Sequence, residues 1–254
     1  MNILGIVPAR FASSRFPAKA LADIDGKTMI QRVMEQARKA ESLSRVVVAT
    51  DHETIADHVR SFGGEVIMTS ENHQSGTDRC FEALQAVGEE VDYVINIQGD
   101  EPFIKPEQIN LLASVLDGTT ELATLVKKID DPAVLFNTST PKVVLNSRSE
   151  ALYFSRQTLP FLRERQPEEW LQHHIFYKHI GIYAYRADIL AQITQLPPSL
   201  LEKAEALEQL RWLENGYRIR CVVTELDSYG IDTPEDLERL ERHLSRAETK
   251  GEGS

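Results

Sequence analysis

Cysteine is almost missing from this chain. Cys80 and Cys221 stand far apart in 254 residues, which excludes a disulfide framework and a thiolate metal site and leaves two core thiols. Long apolar runs are missing as well. Val46-Val47-Val48-Ala49 is typical of the longest, far short of the ~20 residues a bilayer demands. No charged start leads into an apolar signal region, so the sequence reads as cytoplasmic and not inserted in a membrane. Positive charge is scarce: 28 Lys and Arg face 39 Asp and Glu, for a formal net charge of −11. That balance argues against a nucleic-acid partner, because neutralising phosphates needs a basic surface. The folded part has no G-x-G-x-x-G and no G-x-S-x-G. None of the histidines pairs with a His or Cys at zinc spacing, and His52, His58 and His243 fall in exposed helical patterns that predict solvation. Gly26-Lys27-Thr28 imitates the end of a P-loop, but the first glycine of that motif falls on Leu21.

What is present is an ordinary globular balance, 42% hydrophobic and 26% charged, with alternating strand and helix signals. Ile3 to Val7 reads as a buried strand ended by Pro8, followed by strands at 45–50, 65–68 and 93–97. Helical spacing covers 29–40, 52–62 (stopped by Gly63-Gly64), 77–87 and 106–116. That order predicts an α/β fold, a mostly parallel Rossmann-like sheet with helices on both faces and ligands beyond the carboxyl ends of its strands. The second half predicts strands near 122–129, 141–146, 151–156, 176–186 and 218–224, and helices over 187–195, 203–215 and 234–245. With no linker or repeat in view, the expectation is one domain over 1–245, carrying a β-rich segment at about 141–186, and a disordered polar tail at 246–254.

One stretch stands out against the acidic background. Between Pro8 and Ala22 lie Arg10, Arg15 and Lys19 and no acid. A loop leaving a buried strand can present backbone N–H groups to phosphate oxygens, and these side chains add charge to it. A solvated surface loop fits the composition equally well. Asp100 ends an apolar strand directly after Gly99, which permits close approach, while Asp232 precedes a helix start at Thr233-Pro234. Either carboxylate near a polyphosphate suits Mg²⁺; Asp232 suits a helix cap as well.

Eight blocks in order then resemble the 3-deoxy-manno-octulosonate (Kdo) cytidylyltransferases over about Ile3 to Leu244. They are Pro8-Ala-Arg10 with Ser14-Arg15-Phe-Pro17-Ala-Lys19, Ala49-Thr-Asp51, His73 to Arg79, Asn96 to Pro102, Ala151 to Arg156, Lys178 to Tyr183, Leu207 to Arg211, and Gly230 to Asp236. The resemblance implies a nucleotidyltransferase fold whose β-rich segment forms a homodimer. It implies the reaction of CTP with Kdo to give CMP-Kdo and pyrophosphate for lipopolysaccharide assembly. It implies nucleotide binding by Pro8, Ala9, Arg10, Ser14, Arg15, Lys19, Ser75, Gly76 and Arg79, and Mg²⁺ on Asp100 and Asp232. Lys19, Arg15, Asp100 and Asp232 would carry catalysis, and Gln98, Arg156, His179, Tyr183, Glu208 and Gln209 the sugar acid.

The residues by themselves also admit plainer roles. Arg156 and His179 lie on expected strands, where a lone His is more often structural; Tyr183 alternates with Ile182 as core would; and Glu208 could be solvated or pair with Arg211. The chain departs from the family at Ala18, where Gly is usual, and at Ala20, where Pro is common. A positive φ at Ala18 would strain the loop. The same fold could serve 8-amino-Kdo or N-acylneuraminate, or bind a nucleotide without catalysis.

Overall fold

The computed structural model describes residues 1–12 and 16–238. Strand β1 (Ile3–Ala9) leads through the basic loop to a short hairpin, β2 (Asp23–Ile24) and β3 (Lys27–Thr28). Next come α1 (Met29–Ala37), β4 (Arg45–Thr50), α2 (Glu53–Ser61), β5 (Val66–Met68), α3 (Gly76–Val87), β6 (Tyr93–Asn96) and α4 (Pro106–Ala113). The second half runs β7 (Leu122–Lys128), α5 (Pro132–Phe136), β8 (Lys142–Leu145), β9 (Ala151–Ser155), α6 (Trp170–His173) and β10 (Tyr177–Arg186). It ends with α7 (Ala187–Ile193), α8 (Leu200–Glu205), α9 (Gln209–Glu214) and β11 (Ile219–Val223).

Alternation along the strands builds two cores. Ile3, Val7, Val46 and Val48 face the layer of α1 and α4, while Leu4, Ile6, Val47 and Ala49 face the layer of α3, α7 and α9. Strands buried on both faces account for the continuous apolar runs in the sequence. The main sheet has the order β11-β7-β10-β6-β1-β4-β5, with β8 attached to β10 and β9 to β8. β1 pairs in parallel with both β4 and β6, whereas β10 runs antiparallel between β6 and β7. The mostly parallel α/β expectation therefore holds, with β10 the reversed strand. The chain leaves β1 toward β4 and β5, then returns to place β6 on the opposite side of β1. That reversal opens a crevice beyond the carboxyl ends of β1 and β6.

Three expectations need correction. β1 does not end at Pro8; it runs to Ala9, with Pro8 opposite Ala49. Ile6 O accepts from Ile97 N, so Pro8, two residues on, presents its nitrogen toward the same side. The β6 ladder has already stopped there, at Ile6 opposite Asn96, and the missing N–H forfeits no ladder bond. The helix expected over 203–215 is two helices, broken where Ala206 turns to φ 51°, which carries Leu207 into the core at 7% exposure. Gly26 at φ 75° sits in the β2–β3 turn, and Thr28 of β3, which follows that turn, caps α1. His52 and His58 are not simply solvated. His52 caps α2 and stacks on Phe11, and His58 bonds Thr28 Oγ1 at 2.7 Å. Of the helix expected over 234–245, residues beyond 238 lie outside the described residues, as do His243 and the tail at 246–254.

Cys80 and Cys221 are buried and unpaired, the latter thiol pushed up to about 12 by desolvation. Among the described residues, no helix is long and apolar enough to cross a membrane.

Ala18 adopts φ 53°, ψ 29°, a left-handed conformation that strains an L-residue by about 1–2 kcal/mol. Ala18→Gly removes that strain, while the looser unfolded chain takes back about 0.4–1 kcal/mol. The expected outcome in equilibrium urea unfolding is a net gain of about 0.5 kcal/mol; a loss of stability would show that the loop holds Ala18 without strain.

Candidate active site

A cleft of about 280 Å³ opens at the crevice between β1 and β6. Its floor is Pro8 and Ala9 of β1 and Gln98-Gly99-Asp100 after β6; Arg10, Lys19 and Ala20 of the basic loop form one wall. His73, Gln74, Ser75, Gly76 and Arg79 form the opposite wall, and Asp232 arrives from the C-terminal segment.

Local chemistry explains each placement. Ser75 Oγ accepts from Asp78 N at 3.1 Å and caps α3, so the N-terminus of a twelve-residue helix faces the cleft. Its orphan N–H groups and its dipole favour an anion. Gly99 is required by space, since a Cβ there would stand 2.6 Å from Pro8 O, closer than packed atoms tolerate. Asp232 is not the helix cap. Thr233 takes that place: Thr233 Oγ1 accepts from Asp236 N, while the Asp236 carboxylate accepts from the N–H groups of Asp232 and Thr233, a reciprocal capping box. The Asp232 carboxylate turns instead to Lys19.

Lys19 Nζ lies 2.7 Å from Asp100 Oδ2 and 3.2 Å from Asp232 Oδ1. Two carboxylates far apart in the sequence thus converge on one cation. Next to them Glu101 is buried, and desolvation pushes its carboxyl up to about 7, against a hydrogen bond from Ser228. Arg79, only 3% exposed, donates to Thr69 Oγ1 at 2.6 Å and to Asp51 Oδ2 at 2.8 Å.

Of the residues tied to the sugar acid, Gln98 lines the cleft. Glu208 adjoins its wall: Glu208 Oε2 accepts from Thr77 Oγ1 at 2.9 Å, and Ser75 donates to the same carboxylate, whose burial raises its pKa. The alternative of a Glu208–Arg211 pair does not hold, because Arg211 clasps Glu202. Gln209 is buried at the start of α9. Tyr183 is buried between His179 and Trp212, with ring centroids 5.1 Å apart in both pairs. His179 Nε2 meets Thr124 Oγ1 at 3.0 Å.

Arg156 is not brought to the cleft. Its guanidinium donates to Glu205 O at 2.7 Å and Ala206 O at 3.2 Å, capping carbonyls that the end of α8 leaves orphaned. Glu205 answers by accepting from Arg156 N. Ser14 and Arg15 lie outside the described residues. Ala20, His73 and Gln74 line the cleft without having been assigned a role from the sequence. All but Ala20 fall inside the quoted blocks, and Ala20 follows one directly, so the signal marked segments and not single positions. Thr77 and Asp51 escaped for the same reason.

A family model described as cytidylyltransferase matches residues 4–219. A Cytophaga hutchinsonii protein named 3-deoxy-manno-octulosonate cytidylyltransferase is 58% identical over 94% of this chain and 96% of its own length. A Geobacter sulfurreducens protein of the same name is 47% identical over 94% of this chain and 98% of its own. Among solved structures, CMP:2-keto-3-deoxy-manno-octonic acid synthetase complexed with CTP superposes with a TM-score of 0.90 at 41% identity, covering 97% of this chain and 100% of that one.

Burial holds the His179 imidazole down to about 3. The unfolded chain therefore takes up this proton first, and the group removes stability as pH falls below about 6.5. In an NMR titration the His179 ring is expected to stay neutral from about pH 8 to about pH 4, where a solvated imidazole would change charge near 6.5. A midpoint near 6.5 would mean that the ring is open to water.

Proposed function

The chain belongs to the cytidylyltransferase family, and within it to the 3-deoxy-manno-octulosonate cytidylyltransferases; from that premise we propose that the β1–β6 cleft transfers CMP from CTP to the anomeric hydroxyl of Kdo. The convergence of Lys19, Asp100 and Asp232 in the cleft that Ser75 and Gly76, at the N-terminus of α3, also line carries this reading. In the reaction the sugar hydroxyl oxygen attacks the α-phosphorus, the bond to the bridging oxygen of pyrophosphate breaks, and the hydroxyl proton is released. CMP-Kdo and pyrophosphate result, the former an activated sugar suited to lipopolysaccharide assembly.

Little covalent work falls to the protein in such a transfer; positioning and charge neutralisation account for the acceleration. Arg10 and Lys19 hold triphosphate oxygens from one side, with Arg15 of the same loop. The Ser75-Gly76 turn receives negative charge from the other. Pro8, Ala9, Ser14 and Arg79 frame the nucleotide. Gln98, Glu208, Gln209, His179 and Tyr183 bound the sugar acid, and Arg156 serves its carboxylate only by giving up the carbonyls at the end of α8.

The donor set fits Mg²⁺. Asp100 and Asp232 already converge on a cation, the Lys19 ammonium, and one or two carboxylates completed by phosphate oxygens are how proteins usually hold this ion. When bound, Mg²⁺ supplies Lewis-acid polarisation of the phosphates and of the attacking hydroxyl. A homodimer formed through the β-rich half is part of the proposal, supported by Phe136 and Phe161, which are 44% and 72% exposed and both pack on Trp170. The site of action is the cytoplasm, where CTP is available.

Pyrophosphate release with CTP and Mg²⁺ is the test, run with Kdo, 8-amino-Kdo, N-acetylneuraminate and no sugar. Release with Kdo is the expected result. Turnover confined to neuraminate would void the sugar assignments, and CTP binding without release on any sugar would make the protein a noncatalytic binder. Asp100→Ala is expected to cut turnover by about 10²-fold or more, the usual scale for losing one charge-stabilising group. Near-normal turnover in that variant would remove the metal assignment.

A further inference from the structure

Asp51 stands just past the end of β4 and does not itself line the cleft, yet two walls of the cleft meet on its carboxylate. Oδ2 accepts from Arg79 Nη2 at 2.8 Å. Oδ1 accepts from Phe11 N at 3.1 Å, at the base of the basic loop. The ion pair is buried, with side-chain exposures of 4% for Arg79 and 10% for Asp51. Phe11 is then held twice more. Its ring stacks on His52 at 3.9 Å, and its carbonyl accepts from Ala18 N at 3.3 Å, which closes the loop on itself. Asp51 thus joins the loop that carries Arg10 and Lys19 to the helix that carries Arg79.

We propose that Asp51 is a positioning residue for the nucleotide. Through one buried carboxylate it sets both the root of the phosphate loop and the plane of the Arg79 guanidinium before CTP arrives. Side chains such as Arg10 and Lys19 lose conformational freedom when they bind a ligand; fixing the backbone at Phe11 beforehand reduces that loss. The same carboxylate neutralises a guanidinium that would otherwise be a buried, unpaired charge. The inference rests on the nucleotide reading of the cleft and adds a residue that acts without touching the ligand.

Two variants cut the two bonds separately. Asp51→Asn keeps an acceptor for Phe11 N and removes the negative partner of Arg79. Asp51→Glu keeps the charge beside Arg79 and, being one methylene longer, displaces the acceptor from Phe11 N. CTP binding to the full-length wild type and variants by calorimetry is read beside KM for CTP, KM for Kdo and amide exchange at Phe11. Each variant is expected to bind CTP about tenfold more weakly or worse, since each loses a charge-assisted buried contact. KM for Kdo at saturating CTP should stay within about twofold, and the Phe11 amide should exchange faster in Asp51→Glu. A folded variant with wild-type CTP affinity overturns the proposal, as does an equal loss for CTP and Kdo, the mark of general destabilisation. Should Asp51→Asn fail to fold, Asp51→Glu, which keeps the ion pair, decides alone. Failure of the wild type to bind CTP would overturn the nucleotide reading itself, and this inference with it.

Discussion

An ammonium held between two carboxylates closes the cleft. Lys19 comes from the loop after β1, Asp100 from the end of β6, and Asp232 from the far end of the described chain. Side-chain exposures of 17%, 30% and 49% put these contacts where solvent screens them, and ion pairs of that kind contribute only about 0–1 kcal/mol each. Their importance is positional. Three distant segments must all be folded for this charge arrangement to exist, so the cleft is assembled only with the complete sheet. Backbone bonds reinforce the same geometry: Ile231 N donates to Asp100 O, and Ile231 is buried beside Ile24 and Met29.

A second tie links α3 to the start of α9. Ser75 caps α3 and also donates to Glu208, while Thr77 in the first turn of α3 bonds the same carboxylate. The break at Ala206 makes this possible. A continuous helix over 200–214 would carry residue 208 past the turn that now aims it at α3. The cleft-lining turn at Ser75-Gly76 and the Glu208 carboxylate therefore share α3 as a common support, which suits the proposed transfer, in which two substrates must meet in line.

Much of the first half was legible because its signals are local. Val46 to Ala49, Tyr93 to Ile97 and the helical spacing of Ile30, Val33 and Met34 each announce an element that the structure contains. Gly63 stops α2 with φ 73°, as its residue type suggests. Two of the misreadings, at Pro8 and Arg156, depend on partners distant in sequence; those at Ala206 and Asp232 turn on local choices that residue type leaves open. Pro8 continues a strand because β6 has ended beside it, and Ala206 takes a left-handed turn without a glycine to mark it. Asp232 looks like a cap until Asp236 is seen reaching back to Thr233. Arg156 looks available until the carbonyls of α8 are seen around it.

The α/β class and the residues of the cleft floor and loop were thus set by short-range pattern: buried runs of strand length, helical periodicity, a basic loop without acids, and a glycine before Asp100. Quoted blocks sufficed to place the chain in its family. Only the tertiary structure decided that Lys19 sits between Asp100 and Asp232, that Glu208 turns to α3 and not to Arg211, and that Asp51 joins Arg79 to Phe11. Periodicity is written in neighbouring residues and survives without a fold. A hydrogen bond across 28, 40 or 81 positions depends on sheet order and register, which emerge only when the whole core packs.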